Sequence, residues 1–142
     1  MIKIFTFLFI FTVVLHSQNE KSPVIGMLDS LRVDGCGCYF QTDVNSEEYY
    51  LTTDLIGTAW VNIDGMDISL KFVKKDGTLK YKVGDKFSEF YSNSKYKIEI
   101  QYTVTDVCAP EEECEWTSMD VILIVEENNK KSIIKLKGGC GC

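Results

Sequence analysis

The sequence predicts an all-β fold: an antiparallel β-sandwich or small β-barrel of about seven to nine strands, stapled by disulfides. Three observations carry this expectation. Beyond residue 28, apolar residues recur with period two rather than 3.6, the alternation of a strand with one face on a core. Turn-forming pairs, Asp64-Gly65, Asp76-Gly77 and Gly84-Asp85, punctuate the pattern at short intervals. Six cysteines, an even number, fall into three local pairs in a chain that opens with an export-type segment. Patterning alone does not separate sandwich from barrel.

The elements follow in chain order. Residues 1–17 read as a signal peptide. Lys3 is followed by an apolar run from Ile4 to Leu15, too short to span a bilayer and suited to a signal core, with cleavage expected after Ser17. Residues 18–28, with Pro23 and Gly26, read as an N-terminal arm that could join the first strand. Residues 29–142 are expected to form a single β domain. Val33 and the segment Tyr39 to Gln41 belong to an early strand. Tyr49 to Leu51 suit another strand or a short helical turn begun at Ser46.

Ala59, Val61 and Ile63 precede Asp64-Gly65, and Ile68, Leu70 and Phe72 follow it. Asp-Gly supplies the positive φ of a type I′ hairpin turn, with Met66 allowed for in a slightly longer loop. Leu79, Tyr81 and Val83 alternate up to Gly84-Asp85, and Phe87 and Phe90 precede a polar turn. The clearest strand runs from Lys95 to Val107. There Tyr96, Ile98, Ile100, Tyr102 and Val104 face a core and Lys97, Glu99, Gln101 and Thr103 face water. Met119, Val121, Leu123 and Val125 alternate with Asp120, Ile122 and Ile124, so this strand is apolar on both faces. Glu126 to Asn129 turns the chain, and Ile134 and Leu136 mark the last strand.

The cysteines are the most specific signal. Cys108 and Cys114 flank a short acidic turn between two strands and are expected to pair. Gly35-Cys36-Gly37-Cys38 and Gly139-Cys140-Gly141-Cys142 repeat one tetrapeptide. Thiols at i and i+2 of a strand share a face. If the early strand lies antiparallel to the tail, Cys36 meets Cys142 and Cys38 meets Cys140; the crossed pairing is open. The alternative chemistry is a thiolate site. Cys36, Cys38, Cys140 and Cys142 together could hold zinc or Cu(I), or act as Cys-x-Cys redox pairs. An oxidising compartment disfavours free thiols, and neither pair has the C-x-x-C spacing.

Composition excludes several function classes. The chain has 142 residues with 15 basic and 21 acidic side chains, a net charge of −6. One arginine, Arg32, and scattered lysines do not make a nucleic-acid groove. Cleavage after Ser17 would also remove His16, the one histidine. A processed chain without histidine has no Ser-His-Asp or Cys-His constellation and no His-ligated metal or haem. Phosphate-binding and dinucleotide glycine patterns and N-glycosylation acceptors are absent from the sequence. Asp64 and Asp67 flank a solvated turn rather than a cleft, which argues against glycosidase chemistry.

Three features are candidate binding surfaces. Glu111, Glu112 and Glu113 form an acidic hairpin tip that lacks the spacing of a calcium loop. Trp60 falls on the face opposite Ala59 and Val61. Trp116 follows the acidic run and could contact a protein or glycan. The expectation is therefore an exported, periplasmic or extracellular, non-enzymatic binding or structural module. Its catalytic and cofactor-binding sets are empty, it has no membrane span after processing, and a cationic protein would suit its charge. The sequence does not set an oligomeric state.

Overall fold

The computed structural model describes residues 21–78, 80, 82–108 and 115–142. The expected signal peptide therefore lies outside the described residues. So do Leu79, Tyr81, the acidic tip Glu111, Glu112 and Glu113, and Cys114, the expected partner of Cys108. Among the described residues nine strands are formed: β1 (Ile25–Gly26), β2 (Gly37–Gln41), β3 (Tyr49–Asp54), β4 (Thr58–Ile63), β5 (Met66–Gly77), β6 (Lys86–Ser92), β7 (Lys97–Val107), β8 (Trp116–Glu127) and β9 (Lys130–Gly141). Among the described residues there is no helix long and apolar enough to cross a membrane.

Every pairing is antiparallel. From β2 to β9 each strand pairs with the next in sequence, and β9 returns to pair with β2. The result is an eight-stranded up-and-down barrel in which each of β2 to β9 has a neighbour on both sides; the long β5 pairs with β4 over Met66 to Lys71 and with β6 over Lys71 to Gly77. The short β1 pairs with Ile63 and Asn62, extending the β4 edge past the end of β3.

Local chemistry explains the hairpins. Asp64 and Gly65 take φ of 53° and 81°, and Asn128 and Asn129 take 47° and 63°. Both are two-residue turns with positive φ throughout, whose twist matches the flanking strands. Met66 pairs directly with Ile63, so the hairpin is tighter than the expected longer loop.

The interior follows the alternation. Phe40, Leu51, Val61, Ile63, Leu70, Ile100, Leu123 and Val125 are fully buried, with Tyr102, Val121 and Leu136 beside them. Phe87 stacks on Tyr102 with centroids 4.4 Å apart, and Phe40 leans on the same ring at 5.8 Å. Eight strands enclose a space that side chains can fill, and here they fill it.

Three expectations need correction. Val33 is buried but lies before β2, outside any strand. The alternation at residues 79–83 does not make a strand at its described positions. Val83 sits in a turn, 62% exposed, and Lys80 and Lys82 give their backbone N–H groups to Asp85 Oδ2 at 2.7 and 3.1 Å. A side-chain acceptor has taken the place of a ladder partner, and the strand forms one step later as β6. Phe72 keeps the expected core face, opposite buried Tyr91 and edge-on to its ring at 5.6 Å, but is 44% exposed because it lies one residue past the last β4 partner, Thr58 opposite Lys71.

Candidate functional site: an aromatic groove beside a stapled seam

The seam that closes the barrel is β2 against β9. Five residue pairs run from Gly37 opposite Gly141 to Gln41 opposite Lys137. Cys38 faces Cys140 in this register, and Cys36 and Cys142 continue it one step beyond Gly37 and Gly141. Both pairs are disulfides, with Cα–Cα separations of 4.0 and 4.1 Å. Cys38 and Cys140 pack against the core, so the inner bond lies on the barrel's inward side. The uncrossed pairing is the one formed. A sulfur in a disulfide is not a thiolate, so the alternative metal or redox use of these four cysteines finds no support. Among the described residues no group of three or more His, Cys, Asp or Glu side chains could hold a metal ion.

The outer face of the seam is bare where β9 carries glycine, and an indole fills the space. A Cβ on Gly139 would lie 2.4 Å from the Thr117 carbonyl oxygen and 2.6 Å from Trp116 Nε1. A Cβ on Gly141 would meet Trp116 Cε3 at 2.9 Å. The Trp116 ring therefore lies flat along β9 on a floor only glycine can supply, and it stays 41% exposed on its other side. Tyr39, opposite Gly139 on β2, holds its ring within 18° of the indole plane, with centroids 6.5 Å apart. Tyr49 meets Tyr39 edge-on at 5.9 Å. The Tyr39 hydroxyl donates to the Gly35 carbonyl at 2.8 Å, with the Val33 carbonyl at 3.3 Å. Burial, then the nearby Asp34 charge and Tyr49, push its phenol pKa up, so the hydroxyl keeps its proton.

Beside Trp116 opens a groove of about 510 Å³, lined by Gln41, Val44, Thr105, Ser118, Asp120 and Lys137 among others. Gln41 is 8% exposed, and its buried Oε1 has no hydrogen-bond donor among the described residues. An unpaired buried acceptor costs about 1–3 kcal/mol. Asp120 and Lys137 stand directly opposite each other. Among the described residues neither enters an ion pair within 4.0 Å. Asp120 and Lys137 also line a second groove of about 730 Å³. It runs over the outward rows Lys86, Thr103, Asp120 and Ser88, Gln101, Ile122, Lys135, which register across β6 to β9.

Comparison with protein-family models, with curated proteins and with solved structures returns no match.

Trp60 is separate from this groove. It lies half-buried on the outer face of β4, between Thr52 and Ser69. It does not line the groove: Thr52 on β3 and Tyr39 on β2 stand between it and the Trp116 floor in one outward row. Sequence reading missed Tyr39, Gln41 and the glycine floor. Only the repeated glycines around Cys140 hinted that something lies close there.

A second polar cluster sits inside the barrel. Tyr91 and Tyr102 donate to Glu89 Oε2 at 2.9 and 3.2 Å, and Lys75 Nζ stands 3.6 Å from Glu89 Oε1. Burial first, then the Glu89 charge, raises both tyrosine pKa values. The cluster satisfies its own buried groups and is structural.

Proposed function

We propose that the protein is an exported, non-enzymatic binding module whose contact surface is the Trp116 groove. The described fold is a small disulfide-stabilised β-barrel, consistent with a structural or binding role. One observation carries the binding reading. The barrel interior is packed, while outside it a large aromatic ring is held rigid and open to solvent beside an unsatisfied buried amide. Rigid, exposed aromatics with a few convergent polar groups are what binding sites use. Export is supported by the leader-like residues 1–17 and by cysteines placed to cross-link. The absence of histidine from a processed chain supports a role without histidine-based catalysis. Net charge would speed encounter with a cationic protein rather than an acidic one.

The test is retention on cell-envelope material from the producing cells. The wild-type chain, Trp116→Ala and Trp60→Ala are each mixed with this material and sedimented. Wild type and Trp60→Ala should be retained, and Trp116→Ala should remain in solution. Equal behaviour of all three would overturn the reading.

A further inference from the structure

We infer that the Trp116 groove binds a saccharide, with one pyranose face stacked on the indole. This rests on the binding reading above and names its ligand class. A ligand for this place must offer a flat apolar face to Trp116 and polar groups around its edge. The groove walls supply an amide at Gln41, a hydroxyl at Ser118, a carboxylate at Asp120 and an ammonium at Lys137. A pyranose has this form: axial C–H bonds make one face apolar, and hydroxyls crowd the rim. Each hydroxyl both donates and accepts, so one ligand can serve the acceptor Asp120 and the donor Lys137.

Charge argues in the same direction. The groove carries both signs, Asp120 and Lys137 side by side, so it favours neither a cationic nor an anionic ligand. The two unpaired heads are free to accept from and donate to neutral hydroxyls. Extent argues for an oligomer. The second groove shares Asp120 and Lys137 and continues past Ile122. From Trp116 to Ile122 along β8 is about 20 Å of strand, room for several linked rings. Its walls mix polar Gln101, Thr103 and Ser88 with apolar Ile122, Val121 and Leu136, polar groups for hydroxyls and apolar surface for ring faces.

The experiment uses the same retention assay with two treated probes. One portion of envelope material is stripped with protease. A second is stripped and then oxidised with periodate, which cleaves vicinal diols, and is quenched before use. The wild-type chain should be retained on stripped material and lose at least tenfold in retention after periodate. Trp116→Ala and Lys137→Ala should bind stripped material weakly while keeping both seam disulfides and a cooperative thermal transition. Retention abolished by protease and untouched by periodate would mean a protein partner. That overturns the saccharide inference and leaves the binding module intact. No Trp116-dependent retention on untreated material would overturn both.

Discussion

Asp67 ties the segment that leads into β2, at Asp29 and Arg32, to the barrel. Its side chain is 4% exposed. It accepts from Asn62 Nδ2 at 3.0 Å, from the Asp29 backbone N–H at 3.1 Å and from the Arg32 guanidinium at 3.3 Å. Burial alone would raise its pKa, but these donors outweigh burial and hold it below the ordinary 3.8. A carboxylate stabilised in the folded state contributes fully above its unfolded pKa. That contribution is lost as pH falls through the folded one. Stability should therefore stay level above about pH 4 on this account and drop below it. Asp67→Asn should cost about 1–3 kcal/mol in urea unfolding and flatten the acid limb. Arg32→Ala should cost less, because its half-exposed guanidinium is screened by water. Equal losses would mean that the ion pair, not the hydrogen-bonded carboxylate, is what matters. Gly139 gives the second prediction at this scale. Gly139→Val puts a side chain where the Thr117 carbonyl and the indole now lie. It should swing Trp116 off β9, raise the exposure seen by fluorescence quenching and remove envelope retention.

Among the elements, β2 and β9 are the least able to pair unaided. The closing part of β9 is Gly138, Gly139, Cys140 and Gly141, and glycine in a strand costs entropy and offers little to pack. Two covalent bonds replace what side chains do not supply. Either bond closes a span of more than 100 residues, 106 for one and 102 for the other. The chain-entropy picture gives about 4–5 kcal/mol for the first closure and little for the second. The paired change Cys36→Ser with Cys142→Ser should thus cost little, as should Cys38→Ser with Cys140→Ser. Removing all four should cost several kcal/mol more than their sum in denaturant unfolding. Additive losses would contradict a shared seam.

This element was legible in sequence because two identical tetrapeptides put thiols on one face each. The β7 strand was legible for the same kind of reason: strict alternation from Tyr96 to Val104. Residues 79–83 misled because alternation says nothing about who accepts the backbone N–H, and Asp85 does. Phe72 misled because alternation gives a face but not where the neighbouring strand stops, and the β4 pairing ends at Lys71.

For the whole molecule, sandwich and barrel share one alternation pattern, which is why sequence left them open. One long-range pairing decides between them: β9 returns to β2 and closes the meander on itself. The groove is a whole-molecule property too. Tyr39 and Gln41 come from the first barrel strand, Trp116 and Ser118 from the seventh, and Gly139 from the last. Sequence could mark Trp116 as a candidate, but not the neighbours that make it a site. The meander builds itself from local hairpins, so closure at the seam is the one step that joins distant ends. That closure also fixes the Trp116 platform, because its floor is β9 and its companion Tyr39 is on β2.

The most direct test of this account is disulfide mapping of the chain recovered after passage through its own leader. Peptides are kept non-reduced and fragmented between Cys36 and Cys38. The account predicts Cys36 bonded to Cys142 and Cys38 bonded to Cys140. Crossed bonds, or alkylatable thiols at these four positions, would contradict the stapled seam and the groove built on it.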